Sequence, residues 1–458
     1  MAEPNTTTPP DFDVIVVGAG AGGICAALAA ARSGARTLLV ERGPQVGGTG
    51  VHSPVSLICK FHGTDHRAIN LGIHRELFPE AYLFSTRDKR PSAPRLTYDE
   101  RVLFERYQRL LSAEPNLVVR TNTEMTAVSV HQRRIQSITL ADGAQIFAPI
   151  FVDSTANAVL SRLAGMDTMK GRQQDGAMQS ATLTFALENI DTSHLRDPDF
   201  TTRGGLDSLL EELTRLYRQA KQEGRTTNPR VTVQAFPYPD GKRLLFNSNE
   251  VLGVDPTRSG SIKEATTAAQ RMVEELIAVV RQHPAFTQSQ VSFVSSQLGV
   301  REGPRVVGDY VLTQEDCLGE ARFEDMVAAC AYEIDIHDPD GAEAQMVDIP
   351  GSGYYHIPYR CLIARDAENL LLASRCVSAT HEAHSSLRVM SGITAIGQAA
   401  GTAAALAARL SPASVRGVMA SWIRHTLREQ VQFVEGTTEK APRFLKNGAA
   451  NGDRTRDP

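Results

Sequence analysis

The chain has 458 residues, of which 42% are hydrophobic and 22% charged, and its formal net charge at pH 7 is −4. This length predicts two domains or one elaborated domain, because single hydrophobic cores stop growing beyond about 250–300 residues. The slightly acidic balance excludes a global basic field, so we expect neither nucleic acid nor a membrane surface as a partner.

The six cysteines are scattered along the chain without a CxxC pair. This pattern favours free thiols in a reducing compartment over a disulfide framework or a zinc site. Residues 1–10 are polar and rich in Pro and Thr, without the basic start and apolar core of a signal peptide. We therefore expect a cytoplasmic protein with no bound metal.

The first elements form a strand–turn–helix–strand pattern. An apolar run over 14–17 follows Asp13, 18–23 are rich in glycine, 24–33 are rich in alanine, and 37–40 are again mostly apolar. These runs predict a buried strand, a tight turn, a helix and a second buried strand.

The glycines of this turn predict a dinucleotide site. Gly18 permits a sharp turn, Gly20 lets a pyrophosphate approach the backbone beside Gly22, and Gly23 permits close packing of helix on strand. The helix N-terminus offers free N–H groups and a partial positive charge to the phosphates. Glu41 ends the second strand, where an acid would accept hydrogen bonds from a ribose. This segment alone does not distinguish an NAD site from an FAD site.

A second glycine cluster, RGPQVGGTG, follows at residues 42–50. The succession of strand, GxGxxG turn, helix, acid and Gly-Gly pair resembles the glutathione-reductase-like FAD flavoproteins. The resemblance implies FAD contacts from Arg42, Gly47, Gly48 and Thr49.

The next segment predicts one helix followed by an antiparallel meander. The predicted elements are a helix over 101–113, strands over 117–119, 127–130 and 134–140, a hairpin turn at 142–143, and one strand over 145–152. In the flavoproteins that the chain resembles, this meander crosses over the nucleotide, which implies cofactor contacts from Met125 and Asp153. Residues 154–157 replace the glycine-containing turn of that family.

Residues 165–364 lose the Rossmann pattern and predict an inserted α+β substrate domain. Its predicted elements are strands over 181–187, 231–236 and 244–247 and helices over 206–220 and 262–280. The predicted organisation is a FAD-binding domain in two parts, 11–164 and 365–432, the inserted domain at 165–364, and a disordered tail at 433–458.

The last third carries several motifs in a fixed order. They are VREGPRVVGDY at 300–310, DIHDP at 335–339, YHIPYR at 355–360, NLLLASRCVSATH at 369–381, SLRVM at 386–390 and GQAAGTA at 397–403. Together they resemble the bacterial FAD-dependent oxidoreductase family, relatives of the fumarate reductase and succinate dehydrogenase flavoproteins. The resemblance runs from residue 13 to about 407. It implies an α/β, Rossmann-like fold, FAD as the cofactor and an oxidoreductase function.

The Ala-rich segment 393–410 predicts a buried helix rather than a membrane span, since it contains several polar residues. A helix that starts near Gly392 would stabilise negative charge on a reduced flavin at its N-terminus. Gly397 and Gly401 lie four positions apart, so one helix face is expected to pack tightly on the Rossmann strands. The alternative is an ordinary core helix.

The redox step requires that a substrate C–H bond is oriented and that a proton is moved. His337 and His381 are candidate bases because they stand in the family motifs, and Arg305 and Arg388 are candidates to bind a substrate carboxylate. The alternatives are structural histidines and domain-interface salt bridges. Further candidates are His356, His384, Arg301, Arg360 and Arg375.

We therefore expect an FAD-dependent oxidase or dehydrogenase that abstracts hydride from a small organic substrate. Oxygen or a partner protein would reoxidise the flavin. The sequence has neither a second GxGxxG nor a CxxC, which disfavours disulfide reductases. Three alternatives remain: a flavin monooxygenase or halogenase, an NAD-dependent dehydrogenase, and a non-catalytic protein that holds FAD.

Overall fold

A computed structural model describes residues 10–81, 96–341 and 344–435. The predicted disordered tail therefore lies outside the described residues, except for residues 433–435. Glu435 is packed against the protein, since its carboxylate accepts hydrogen bonds from Tyr354 and pairs with His356.

Helices and strands are interspersed along the described chain. The helices are α1 (Ala21–Arg32), α2 (Thr49–His52), α3 (Ile73–Leu77), α4 (Glu100–Ser112), α5 (Val159–Leu163), α6 (Arg203–Gln222), α7 (Ser259–Val280), α8 (Gln314–Leu318), α9 (His381–Leu387), α10 (Met390–Ala408) and α11 (Ala420–Glu429). The strands are β1 (Val14–Val17), β2 (Thr37–Val40), β3 (Leu117–Arg120), β4 (Met125–His131), β5 (Arg134–Leu140), β6 (Gln145–Phe147), β7 (Ile150–Asp153), β8 (Thr168–Met169), β9 (Ala181–Thr182), β10 (Phe185–Glu188), β11 (Ala235–Pro237), β12 (Leu244–Phe246), β13 (Gln290–Val294), β14 (Gly299–Val300), β15 (Arg305–Val306), β16 (Met326–Cys330), β17 (Ile334–Ile336), β18 (Gln345–Val347), β19 (Tyr355–Pro358) and β20 (Leu370–Leu372).

A five-stranded parallel sheet in the order β20-β7-β1-β2-β3 organises the molecule. Val14 is aligned with Thr37 on one side and with Ile150 on the other. All residues of β1, β2, β7 and β20 are buried, which explains their continuous apolar sequences. The predicted Rossmann-like α/β fold is confirmed, and the last strand of its sheet comes from the C-terminal segment.

The single strand predicted over 145–152 is wrong. The structure divides it into β6, which completes the β4-β5-β6 meander, and β7, which joins the parallel sheet. Pro149 lies between them, and its missing N–H cannot continue a strand ladder.

The strand predicted over 181–187 is also divided. Strand β9 pairs with β14, whereas β10 joins the sheet β11-β12-β10-β13. Between them, the Leu183 N–H donates to the Asn249 side chain at 2.8 Å, and Asn249 donates back to the Leu183 carbonyl at 2.7 Å. A side-chain amide therefore takes the place of a neighbouring strand at Leu183.

Separate hydrophobic cores divide the molecule into lobes. The insert lobe has a core drawn from residues 181–298, in which α6 and α7 cover the sheet β11-β12-β10-β13. Residues 312–363 instead contribute to the core around α1 and α10, which we call the nucleotide lobe. By core membership the insert ends near Val300, whereas the sequence predicted residue 364.

Helix α10 packs chiefly on α1 and also contacts the parallel strands β7, β20 and β1, on which the sequence predicted its packing. A Cβ atom on Gly397 would overlap the Gly22 carbonyl, and one on Gly401 would overlap the Ala26 carbonyl. Since α1 and α10 are both rich in Ala and Gly, their backbones approach closely.

Across the described ranges, no single helix is long and apolar enough to cross a membrane. Helices α9 and α10 taken together have the length and composition of a span, but the pair is bent by 92°.

Candidate active site

The turn between β1 and α1 is closed by glycines for which no other residue fits. Gly18 has a φ of +98°, and a Cβ there would lie 2.7 Å from the Ser154 carbonyl oxygen. A Cβ on Gly22 would overlap the Ala373 carbonyl, and one on Gly23 would overlap the carbonyl of Gly18. The turn thus sits tightly between β1, β7 and β20.

Gly20 is different, because it faces open space. The nearest atom to a Cβ at Gly20 is the Cα of Gly48, at 4.0 Å. Helix α1 begins directly after Gly20 without a side-chain cap, so its first N–H groups are not taken by a capping side chain. This arrangement fits a pyrophosphate, which the N–H groups and the helix dipole would bind.

The Glu41 carboxylate connects the glycine turn to the following loop. Its Oε2 accepts from the Ala19 N–H and its Oε1 from the Gly43 N–H, both at 2.8 Å. The carboxylate retains acceptor capacity for a ribose hydroxyl. Arg42 beside it is exposed.

The second glycine cluster lies against the first. The Gly47 N–H donates to the Ala19 carbonyl at 2.8 Å. Gly47 and Gly48 have φ values of +120° and +53°, and Gly48 caps α2, which begins at Thr49. The two glycine segments therefore form opposite sides of the space beside Gly20.

Met125 and Asp153 are both buried. The Asp153 carboxylate accepts from the N–H and hydroxyl of Thr155 at 2.9 and 2.6 Å, and from those of Ser161 at 2.8 and 2.6 Å. Burial raises the pKa of Asp153 against the lowering effect of these bonds. Asp153 thus shapes the turn that faces Gly18, and its side chain points into the protein.

The N-terminus of α10 is buried and lacks a side-chain cap. Its N-cap is Val389, and the first turn contains the buried residues Ser391 and Gly392. A Cβ on Gly392 would lie 2.7 Å from the Leu387 carbonyl oxygen. Such an N-terminus favours negative charge, which fits the N1–C2 carbonyl edge of a reduced flavin.

Charged and imidazole side chains gather where the two lobes meet. This interlobe cluster consists of Glu250, Arg301, Glu302, Arg305, Asp335, His337, Arg375, His381, His384 and Arg388. All of them are buried except Arg375 and Arg388, which are partly buried. Glu250 comes from the insert lobe, so the cluster is complete only when the lobes are together.

His337 is held between two carboxylates. Its Nδ1 lies 3.0 Å from Glu250 Oε1, and its Nε2 lies 3.7 Å from Asp335 Oδ1. Burial and the charges of Arg301 and Arg388 depress the pKa of His337 well below its usual value. The depressed pKa favours the neutral ring, in which donation from Nδ1 to Glu250 would leave Nε2 as the acceptor.

His381 and Arg305 both bind Glu302. His381 Nδ1 lies 2.9 Å from Glu302 Oε2, and Arg305 Nη1 contacts Oε1. Arg305 also donates through Nε to the Ala379 carbonyl and through Nη2 to the Gly171 carbonyl. Burial alone would raise the pKa of Glu302, but the hydrogen bond from His381 and the charge of Arg305 lower it to about 2. Every guanidinium nitrogen of Arg305 has a protein acceptor. These contacts favour the alternative stated from the sequence, in which Arg305 forms a domain-interface salt bridge.

His384 lies on α9, one turn after His381. Within the part of the chain that the structure describes, neither of its ring nitrogens has a hydrogen-bond partner, and its side chain is fully buried. Burial depresses the pKa of His384 well below its usual value. A neutral imidazole with a free donor and a free acceptor can bind a polar ligand group.

Two carboxylates of the cluster, Glu302 and Glu250, were not among the residues predicted from the sequence. Glu302 stands in the VREGPR motif, so a search for the acid nearest to Arg301 and Arg305 would have found it. Glu250 carries no local signal, because its partner His337 is 87 positions away. Asp335 belongs to a predicted site motif, and the structure adds that it accepts from Arg388 at 3.2 Å.

All six cysteines are free thiols, as predicted. Among the described residues, no group of His, Cys, Asp and Glu side chains is arranged to hold a metal ion.

A family model described as FAD dependent oxidoreductase matches residues 13–427. The tRNA uridine 5-carboxymethylaminomethyl modification enzyme MnmG of Clostridium botulinum is 25% identical over 190 residues, which are 39% of this chain and 30% of that protein. Aklavinone 12-hydroxylase DnrF of Streptomyces peucetius is 45% identical over 64 residues, 14% of this chain and 11% of that protein. The chain thus spans less than a third of either relative's length.

Among solved structures, a geranylgeranyl bacteriochlorophyll reductase-like protein of Thermoplasma acidophilum has 13% identity and a TM-score of 0.43, with 92% of this chain and 83% of that chain covered. The p-nitrophenol 4-monooxygenase of Pseudomonas putida has 11% identity and a TM-score of 0.40, with 91% and 82% covered. Likeness at this level carries no functional argument.

Proposed function

Because the chain belongs to the FAD dependent oxidoreductase family, we propose that it oxidises a small organic substrate by transferring a hydride to bound FAD. When bound, the flavin supplies the two-electron acceptor. Molecular oxygen or a partner acceptor would complete the cycle. The residues that hold the cofactor and move the proton are also part of this proposal.

The cofactor would bind in an extended conformation along the glycine turn. The α1 N-terminus at Gly20 would bind the pyrophosphate, and Glu41 would accept from the adenosine ribose. The flavin would lie between Gly48 and the uncapped N-terminus of α10. Three features support this assignment: the open space at Gly20, the two uncapped helices, and the family match over residues 13–427.

The observation that carries the reaction is the placement of His337, whose Nδ1 lies 3.0 Å from Glu250 Oε1 and whose Nε2 forms no hydrogen bond within the described residues, the Asp335 carboxylate lying 3.7 Å away. In the proposed reaction, Nε2 accepts the proton that leaves the substrate as its C–H bond is oxidised. Glu250 holds the ring in one tautomer and stabilises the imidazolium that forms. His381 has a different task, because it holds Glu302 and thereby the adjoining Arg305.

The test is anaerobic flavin bleaching of the holoenzyme by a panel of alcohols, amines and carboxylic acids. A substrate should bleach wild type, and His337→Gln should retain FAD but reduce it on the order of 10²-fold more slowly. His194→Gln is the matched control, since His194 is about half exposed and pairs with Asp191 in the insert lobe. Equal reduction rates in wild type and His337→Gln would remove His337 as the base.

A flavin monooxygenase reaction is the second candidate, and the 45% identical segment of a hydroxylase favours it. The two candidate reactions differ in the conditions under which the enzyme consumes oxygen. An oxidase consumes oxygen with substrate alone, whereas a monooxygenase does so only when an external reductant and a substrate are both present.

A further inference from the structure

Arg301 carries a buried positive charge that forms no salt bridge within the described residues. It is 8% exposed, and its Nη1 donates to the Ser180 carbonyl at 2.7 Å. Its Nη2 is buried without a hydrogen-bond partner, and no ion pair joins it to any acid in the described ranges. Burial, and then the charge of Arg388, lower the pKa of Arg301 to about 9. A buried cation of this kind is costly unless an anion joins it.

Arg388 presents a second unpartnered donor in the same region. Its Nη2 donates to the Asp335 carbonyl and to Asp335 Oδ2, at 3.1 and 3.2 Å. Its Nε is buried and has no partner within the described residues. Arg388 directly precedes Val389, the N-cap of α10, so its charge adds to the positive end of that helix.

The acids of the interlobe cluster are already paired. Glu302 binds Arg305 and His381, Glu250 contacts His337 and lies 3.7 Å from Arg230, and Asp335 binds Arg388. Among the described residues, no carboxylate of the cluster lies within salt-bridge distance of Arg301, although Glu250 and Asp335 are near enough to favour its charged form. A ligand carboxylate would supply the direct ion pair that Arg301 lacks.

We propose that Arg301 Nη2 and Arg388 Nε bind the carboxylate of the substrate, so that the enzyme acts on organic acids. Two unpartnered donors match the two oxygens of one carboxylate, and guanidinium groups bind carboxylates with directed, paired hydrogen bonds. Arg305, which the sequence named for this role together with Arg388, is engaged by Glu302 and two carbonyls. The inference rests on the proposed oxidation and specifies its substrate class.

The test is a titration of the oxidised holoenzyme with acetate, propionate and benzoate, followed by the absorption difference spectrum of the flavin and by the thermal unfolding temperature. Acetamide, propionamide and benzamide are the uncharged counterparts. We expect saturable spectral and thermal shifts with the carboxylates and none with the amides. Equal shifts with both series, or with neither, would overturn the proposal. Inorganic phosphate tests for any anion, and binding as tight as that of the carboxylates would also overturn it.

Variants identify the arginines. Arg301→Gln and Arg388→Gln should each raise the carboxylate dissociation constant at least tenfold, whereas Arg360→Gln, which alters a half-exposed pair with Asp325, should leave it unchanged. If Arg301→Gln does not fold, Arg301→Lys keeps the charge without the planar fork and should still weaken binding. Unchanged affinity in the folded variants would refute the assignment. Because the titration needs no turnover, its failure is distinct from a failure of substrate to bleach the flavin.

Discussion

A Cβ atom on Gly397 would overlap the carbonyl oxygen of Gly22, so the helices α10 and α1 meet backbone to backbone. One of these helices begins at the proposed phosphate site and the other at the proposed flavin site. Their contact therefore sets the distance between the two positive helix ends that would bind the cofactor.

Gly397→Ala should destabilise the protein by about 1–3 kcal/mol, because the added methyl group forces the two backbones apart. Urea denaturation would measure the loss, and the purified variant should also retain less FAD. Gly260→Ala on α7 is the control, since nothing lies within 4 Å of a Cβ there, and it should be neutral or slightly stabilising. Equal stability of the two variants would contradict the close helix contact.

Gly20→Val should fold and yet lose FAD. The space around Gly20 is open within the protein, so the valine side chain would occupy only the volume assigned to the pyrophosphate. Circular dichroism and the flavin content per chain measure the two effects. Gly204→Val on α6, where the Cβ also meets nothing within 4 Å, should fold and keep its flavin. A fully yellow Gly20→Val protein would exclude the proposed phosphate site.

Glu302→Gln should make the protein less stable at pH 7 and flatten its acid denaturation. The folded-state pKa of Glu302 is lowered to about 2, so its stabilising effect is complete above the unfolded pKa of 4.5 and is lost as the pH falls toward 2. A shift of this size corresponds to roughly 3 kcal/mol.

Urea unfolding of wild type and variant between pH 2 and 7 would measure that difference for Glu302. Glu105→Gln, at an exposed position of α4, should follow the wild-type curve. Parallel curves for wild type and Glu302→Gln would show that Glu302 titrates normally.

His384→Leu should stabilise the protein while it impairs substrate-dependent flavin reduction. The change removes two buried ring nitrogens that have no partner in the described part of the chain, and such groups cost roughly 1–3 kcal/mol each. The folded pKa of His384 lies far below its unfolded value, so wild type loses stability as the pH falls below about 6.5, by about 1.4 kcal/mol per pH unit for this group.

The His384→Leu variant should lack that part of the slope between pH 6.5 and 5, measured by thermal or urea unfolding. His194→Leu, at a half-exposed site, should keep the wild-type slope. A His384→Leu protein that is less stable than wild type at pH 7 would mean that the ring packs or bonds better than the structure indicates.

Local sequence was sufficient for the first strand–turn–helix–strand unit of the nucleotide lobe because its signals are local. The apolar runs at β1 and β2 and the obligatory glycines at Gly18 and Gly23 act within a few residues of each other. The division between β6 and β7 was also readable, since Pro149 marks it. By contrast, the break at Leu183 depends on the Asn249 side chain, which is 66 positions away.

The candidate site could be predicted less fully than the fold, because the sequence shows which residues are donors but not which acceptors they bind. Arg301 and Arg305 stand in one motif and look equivalent. In the structure, Glu302 and two carbonyls engage Arg305, whereas Arg301 keeps an unpartnered nitrogen. Only the three-dimensional pairing separates an arginine that holds the fold from one that can hold a ligand.

The bonds that cross between the lobes constrain how this protein can diversify. Glu250 of the insert lobe holds His337, and next to that lobe the Gln179 N–H donates to Glu302 at 3.0 Å. Replacing the insert with that of a homologue would therefore exchange Glu250 while its partner His337 stayed in place. New specificities in this scaffold should arise by coordinated substitution in both lobes, and recombination at residues 181 and 300 should yield chimeras that fail unless the new insert keeps a carboxylate at the position of Glu250.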